Sequence, residues 1–178
     1  SAIARLAAEH LRQFFRVRVV DNHFRAPFPD DVETLTGDLR DEALINHALA
    51  GVESVLHLAP LSLTLGDDAA NLEHATRGTY QLAQAVRKAG LNRLIVGSSM
   101  NLFATVQTPY PIRESWRPRP QATVADLSVY LAECALRDIA RQDGLPVVCV
   151  RFGAADASAL TAIHRALAAR CDGWRVLH

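Results

Sequence analysis

Three hydroxyl side chains have the type and setting for chemistry. Ser98 and Ser99 directly follow an apolar run, and Tyr130 lies early in an amphipathic stretch. A tyrosine can act as a general acid or base if its pKa is lowered, and a nearby hydroxyl can polarise a carbonyl or an alcohol. The usual source of a lowered tyrosine pKa is a cation one helical turn later, but that position holds Cys134, and Arg137 is two turns away. Tyr130 is therefore equally well interpreted as a core aromatic residue, and the serines as loop formers.

Two acids and one turn of small residues are candidate nucleotide contacts. Asp21 ends a β-branched run, where a carboxylate can accept a hydrogen bond from a ribose 2′-hydroxyl and favour NAD over NADP, although Arg25 could instead favour a phosphate. Asp38 follows the next apolar run and could accept from an adenine amino group. The run Leu58-Ala59-Pro60 ends a third, and small residues there let a backbone approach a ligand closely. The structural alternatives are capping aspartates and a strand that simply meets a turn.

Apolar residues alternate between helical spacing and short β-branched runs along the whole chain. Nearly continuous apolar strands are buried on both faces, which indicates a parallel sheet covered by helices, an α/β fold. The segment 104–124, rich in Pro, Thr and Arg, predicts a long surface loop that either faces a substrate or is merely variable. The predicted strands are 17–21, 32–36, 55–58, 94–96, 147–150 and 174–177, and the predicted helices are 2–15, 41–50, 68–89, 126–142 and 158–169.

Composition excludes several classes of protein. The 178 residues suit one domain, and 19 basic against 19 acidic residues give no electrostatic case for nucleic acid or an anionic membrane. No run of about 18 apolar residues predicts a membrane span. Cys134, Cys149 and Cys171 are odd in number and lack CxxC spacing, which fits a reducing cytosol and a cytoplasmic location. The scattered histidines give no metal-ligand spacing, so we expect no metal site.

Five segments, in this order and at this spacing, resemble the extended short-chain dehydrogenase/reductase family, which includes NAD-dependent epimerases and dehydratases. They are 37–41 (GDLRD), 55–59 (VLHLA), 77–82 (RGTYQL), 93–99 (RLIVGSS) and 147–153 (VVCVRFG). The resemblance covers nearly the whole chain. It implies a Rossmann-like doubly wound parallel sheet and NAD as cofactor, with NADP not excluded.

The same resemblance assigns roles to the residues at the strand ends. Ser99 would be the catalytic hydroxyl, although Met100 could equally align there, and Tyr130 would be the catalytic tyrosine. The implied cofactor contacts are Asp21 to the ribose, Asp38 and Leu39 to the adenine, Leu58 and Ala59 to the pyrophosphate and nicotinamide side, and Ser98 beside them.

Four departures from the family pattern qualify this picture. Cys134 replaces the lysine that follows the catalytic tyrosine, and Ala75 stands where an asparagine is usual. The opening residues look like the tail of the glycine-rich phosphate turn, and Gly153 runs almost directly into the last helix. We therefore expect a single domain over 1–178 that is incomplete at its N-terminus and near 154–157. Without a central strand, buried backbone groups of its neighbours would be unpaired at about 1–3 kcal/mol each.

The expected function is that of an NAD(P)-dependent oxidoreductase, epimerase or dehydratase acting on a sugar nucleotide, a sugar acid or a similar small molecule. One alternative is a non-catalytic dinucleotide-binding sensor or scaffold, which Cys134 favours. Another is a structural protein that has kept the fold and lost the ligand. In many relatives the helices corresponding to 68–89 and 126–142 pair in a dimer, and their apolar content permits a homodimer here.

Overall fold

The computed structural model describes residues 1–62 and 66–178. Strands and helices alternate along it, as predicted. The strands are β1 (Val17–Asp21), β2 (Val32–Thr36), β3 (Val55–His57), β4 (Leu94–Ser99), β5 (Val147–Phe152) and β6 (Trp174–Leu177). The helices are α1 (Ala2–Leu11), α2 (Glu42–Leu49), α3 (Asp68–Glu73), α4 (Thr79–Lys88), α5 (Val124–Asp143) and α6 (Ala157–Ala168).

The strands form two parallel sheets. One pairs β1 with β2, and the other has the order β3-β4-β5-β6. Helices pack on both faces of the larger sheet. One core lies between that sheet and α2, α4 and α5, while the other is formed with α1 and α6. The predicted α/β fold with a parallel, Rossmann-like sheet is confirmed.

The edge strands β1 and β3 are less buried than the middle strands of the larger sheet. Every residue of β1 is half-buried, and so are Val55 and Leu56 of β3, whereas β5 is buried throughout. Within the described residues, β1 does not pair with β3. The expected strand between them, and the expected omission near 154–157, stay predictions.

Several element boundaries differ from the sequence-based ones for local reasons. The first helix ends at Leu11, four residues early, and turns rather than helix follow it. The helix expected over 68–89 is interrupted by a π-helical turn, His74–Gly78. The third strand ends at His57 because Leu58 leads into a short 3₁₀ helix containing Pro60. β4 continues to Ser99 because β5 pairs with it as far as Phe152.

The described ranges 1–62 and 66–178 contain no helix long and apolar enough to span a membrane.

Candidate functional site

The carboxyl ends of β2 and β3 meet at one short segment of the chain, His74–Thr79. After β2, the Asp38 carboxylate lies 3.9 Å from His74 Nε2. At the end of β3, His57 Nε2 lies 2.8 Å from the Thr79 hydroxyl, with both side chains buried. These contacts bring the predicted nucleotide-binding ends of the two sheets together at the π turn, a feature that is frequent at functional sites.

Asp21 occupies the position at the end of β1 that the sequence predicted. Its carbonyl accepts a hydrogen bond from Gly37 N at 3.0 Å, which ties the end of β1 to the turn after β2. Its carboxylate Oδ1 accepts from His23 N at 3.3 Å. Because a carboxylate offers about four acceptor sites, the half-buried Asp21 can still accept from a ribose hydroxyl.

Asp38 is held by a neighbouring arginine. The Arg40 side chain donates to both carboxylate oxygens, at 2.7–3.1 Å, and Arg40 N donates at 2.8 Å. These bonds with Arg40 hold the pKa of Asp38 below its usual value. Arg40 also reaches Glu73 at 3.0 Å. An adenine amino group would therefore share Asp38 with Arg40, which the sequence reasoning did not foresee.

The other predicted cofactor residues that follow the first three strands are Leu39, Leu58 and Ala59, and the two leucines pack against glycines. Leu39 lies against Gly78 in the π turn, where an added Cβ would stand 3.5 Å from Leu39 Cβ. Leu58 is buried and packs over Gly97 of β4, which leaves no room there for a side chain. Ala59 is half-buried at the start of the 3₁₀ helix, and its carbonyl accepts from Ser62 N at 2.9 Å. Leu39 and Ala59 are half-buried, whereas Leu58 is buried.

Ser98 points into the interior of the fold. It is fully buried and its hydroxyl donates a short hydrogen bond to Glu133. Glu133 also forms a bidentate ion pair with Arg151, with both N–O distances 2.9 Å and both side chains only 4% exposed. Ser98 thus links β4 to α5 and β5 in the interior, and this position does not support the predicted cofactor contact.

Ser99 lies at the end of β4, half-buried, where the sequence placed it. Its Oγ accepts from Asn101 N at 3.0 Å and caps the short 3₁₀ helix that follows. Asn101 Nδ2 in turn donates to Asp126 of α5 at 2.8 Å. The hydroxyl of Ser99 therefore stands next to the contact that fixes the first turn of α5 against the sheet.

Tyr130 packs in an apolar cluster beside the end of β4. The cluster has Leu102, Phe103 and Val129 at its buried centre, and Val106, Ile112 and Trp116 of the loop 104–124 pack against it together with Tyr130 and Met100. This loop therefore folds down over the cluster. Its residues Arg113, Arg117 and Arg119 are exposed.

The surroundings of Tyr130 perturb its hydroxyl in the direction opposite to that needed by a base. Cys134, one turn later, raises the pKa of Tyr130, and burial adds to the effect. Arg137 acts in the lowering direction but is outweighed. Proton removal by a tyrosine near neutral pH needs a lowered pKa, and Cys134 supplies no positive charge that would lower it.

Sequence reasoning missed the buried network of Ser98, Glu133 and Arg151, and also the pair of His57 and Thr79. The partners in these contacts are 18 to 35 residues apart in sequence. Glu133 and Arg151 did carry a signal, since a charged residue within an apolar strand or on the buried stripe of a helix needs a partner. In the described parts of the chain, no three His, Cys, Asp or Glu side chains converge as a metal site would require.

Comparison with protein families gives a match over residues 1–155 to the family described as the NAD dependent epimerase/dehydratase family. The chain belongs to the NAD-dependent epimerase/dehydratase family. The matched region contains all of the predicted site residues, from Asp21 to Tyr130. The resemblance inferred from the five sequence segments is thereby confirmed.

Solved structures agree with membership of the NAD-dependent epimerase/dehydratase family. A short-chain dehydrogenase/reductase superfamily protein from Agrobacterium tumefaciens with bound NAD is 26% identical, has a TM-score of 0.70, and matches over 84% of this chain and 45% of its own. The UDP-glucose 4-epimerase of Thermus thermophilus in complex with NAD is 24% identical, with a TM-score of 0.70 over 84% and 51% of the two chains.

A third structure, the UDP-glucose 4-epimerase of Thermotoga maritima with UDP-glucose, is 20% identical, with a TM-score of 0.70 over 84% and 51% of the two chains. The likeness to the two epimerases shows the fold. The chain spans about half the length of the solved structures that it matches. No curated protein matches it.

Proposed function

We propose that this protein binds NAD at the carboxyl ends of its strands and acts on a sugar nucleotide, a sugar acid or a similar small molecule. The observation that carries the proposal is the meeting of the ends of β2 and β3 at the segment His74–Thr79, which contains the π turn, with Asp21 and Ser99 at the ends of β1 and β4. Ligands of doubly wound sheets bind at such strand ends. Family membership and NAD-bound neighbouring structures support it.

The residues at the strand ends fit the ribose of NAD better than its adenine. Asp21 has acceptor capacity for the ribose, and its negative charge disfavours the 2′-phosphate of NADP. Leu39 and Ala59 would offer backbone and a small side chain beside the nucleotide. Asp38 would contact the adenine only by sharing its oxygens with Arg40. NAD, when bound, supplies hydride transfer.

For the chemical step, Ser99 is the proposed hydroxyl that would polarise a substrate carbonyl, and Tyr130 the proposed group that would move a proton. The raised pKa of Tyr130 keeps its hydroxyl protonated at neutral pH, so it can donate a hydrogen bond or a proton but is a poor base. Proton removal by Tyr130 would therefore be slow.

The raised pKa of Tyr130 also favours a second candidate, a non-catalytic dinucleotide-binding sensor or scaffold. In this interpretation the residues at the strand ends still bind the nucleotide, while Tyr130 of α5 no longer transfers a proton. A cation at position 134 would stand one turn from Tyr130 and lower the pKa of its hydroxyl.

The two candidates differ in whether the unmodified protein turns over a substrate and in whether Tyr130→Phe lowers that turnover. A dehydrogenase forms net NADH, whereas an epimerase or dehydratase returns the hydride to its substrate and forms none. For the unmodified protein and for Cys134→Lys, Cys134→Ala and Tyr130→Phe, we would therefore follow NADH formation with glucuronate and the conversion of UDP-glucose by chromatography. An NAD-dependent enzyme shows turnover that Tyr130→Phe reduces at least about 100-fold. A non-catalytic binder shows none in the unmodified protein.

Cys134→Ala is the matched control, because it removes the thiol without adding charge. A gain of activity in Cys134→Lys that Cys134→Ala does not show would identify the missing cation as the cause. Turnover unchanged by Tyr130→Phe would contradict the role proposed for this tyrosine.

A further inference from the structure

Both carboxylate oxygens of Asp38, the residue predicted to contact the adenine, are occupied by Arg40. Oδ1 accepts from the backbone N of Arg40 at 2.8 Å and from its Nε at 3.1 Å. Oδ2 accepts from Nε at 3.1 Å and from Nη2 at 2.7 Å. An ionised carboxylate has about four acceptor sites, so Arg40 uses the whole accepting capacity of Asp38. An amino group on a base can bind Asp38 only if Arg40 moves away.

A second carboxylate holds Arg40 in this position. Nη1 of Arg40 donates to Oε2 of Glu73 at 3.0 Å, and Oε1 of Glu73 accepts from Arg77 at 3.3 Å. The guanidinium of Arg40 therefore bridges the turn after β2 and the end of α3. Hydrogen bonds between ionised groups are stronger than neutral ones, and a bidentate pair also fixes the orientation of the guanidinium plane. Arg40 is thus placed against Asp38 before any ligand arrives.

This bridge presents donors, rather than acceptors, at the carboxyl end of β2. Within the ranges 1–62 and 66–178, Nη1 and Nη2 of Arg40 each use one of their two N–H groups. The side chains of Asp38 and Arg40 are both 32% exposed, so a ligand can reach them. Ligands of doubly wound sheets lie outside the carboxyl ends of the strands, and a base that approaches Asp38 there also meets the guanidinium. A carbonyl oxygen on the base can accept from Arg40, whereas an amino group has no partner.

We propose that Arg40, and not Asp38, faces the purine base of the bound dinucleotide, so that the site accepts a 6-oxopurine dinucleotide as readily as NAD. The inference rests on the proposed function and concerns how its nucleotide site selects the base. Adenine carries an amino donor at C6, where hypoxanthine carries a carbonyl acceptor. Arg40 can donate to that carbonyl and to the acceptor ring nitrogens of either base. The ribose is the same in both dinucleotides, so the contact proposed for Asp21 does not distinguish them.

Calorimetric titration with NAD and with nicotinamide hypoxanthine dinucleotide tests the inference. In the unmodified protein the hypoxanthine dinucleotide should bind at least as tightly as NAD, to within about threefold in Kd. Arg40→Leu frees the carboxylate of Asp38, which then accepts from the adenine amino group and repels the carbonyl oxygen of hypoxanthine. In this variant we expect NAD to be preferred by at least about tenfold. Arg77→Leu is the matched control, because Arg77 contacts Glu73 and leaves the pair of Asp38 and Arg40 in place.

The unmodified protein alone can overturn the inference, whether or not the variants fold. A preference for NAD of more than about threefold in that protein shows that an acceptor, and not Arg40, faces C6 of the base. A preference that does not change in Arg40→Leu, or that changes equally in Arg77→Leu, overturns the inference as well. In each of these cases NAD still binds, so the proposed function stands. If neither dinucleotide binds, the proposed function is contradicted and this inference is contradicted with it.

Discussion

At the scale of single residues, His57 connects the site to stability. It is buried against Thr79, and desolvation lowers its pKa to about 3, with His74 acting in the same direction. In the unfolded chain the ring takes up a proton near pH 6.5, so between about pH 6.5 and about pH 3 the unfolded state binds more protons. Stability therefore falls as the pH decreases through this window, by about 2 kcal/mol between pH 6.5 and pH 5.

The His57→Gln substitution tests this reasoning. The amide can still reach Thr79 but takes up no proton, so the loss of stability on acidification should be smaller than in the unmodified protein. Burial also lowers the pKa values of His74 and His178, so part of the dependence remains. Urea denaturation at pH 7 and pH 5 measures the difference, with the exposed His23→Gln as control. An identical pH dependence in His57→Gln would contradict a lowered pKa of His57 in the folded state.

Tyr130 shows what can and cannot be read from residue types. The sequence analysis placed Tyr130 early in a helix and identified Cys134 as a neighbour that could not lower its pKa; Tyr130 lies in α5, and Cys134 raises its pKa. Ser98 shows the limit. It and Ser99 are adjacent and chemically identical, but successive strand side chains face opposite sides of a sheet, and Ser98 is the one that turns inward to Glu133.

At the scale of elements, the Glu133–Arg151 ion pair fastens α5 to β5. Removing one partner of a buried pair leaves an uncompensated charge and costs about 3–5 kcal/mol, whereas replacing both with apolar residues is often nearly neutral. We expect Glu133→Leu to destabilise strongly and Glu133→Leu with Arg151→Met to recover much of the loss, as measured by chemical denaturation. The comparison is the exposed pair of Arg12 and Asp31, in which Nη1 of Arg12 donates to both carboxylate oxygens, and its loss should cost less than about 1 kcal/mol. Additive costs for Glu133 and Arg151 would contradict a coupled pair.

Helices and strands were predictable wherever the apolar residues kept one spacing over several helical turns or over a whole strand. β2 was predicted at its observed bounds, because Asp31 and Gly37 delimit it, and β6 begins as predicted directly after Gly173. The π turn in the middle of the helix expected over 68–89 was not predictable. It depends on His74 meeting Asp38 and on Gly78 meeting Leu39, which are contacts between distant parts of the chain.

At the scale of the whole molecule, two properties stay predictions. One is a strand between β1 and β3, suggested by their half-buried residues. The other is a homodimer through α4 and α5, on which Tyr80 and Leu131 are exposed at 53% and 36%. Neither is fixed by the sequence alone, because hydrogen bonds between strands and contacts between copies depend on surfaces that the folded chain creates.

The measurement that most directly tests the account is isothermal titration calorimetry of the protein with NAD and with NADP. We predict that NAD binds, that NADP binds at least about tenfold more weakly because its 2′-phosphate meets the Asp21 carboxylate, and that Asp21→Asn reduces this preference. Asp30→Asn, an exposed acid in the loop after β1, is the matched control and should change neither affinity. The absence of binding by either nucleotide at millimolar concentration, with the fold intact by circular dichroism, would contradict the assignment of the strand ends to a dinucleotide.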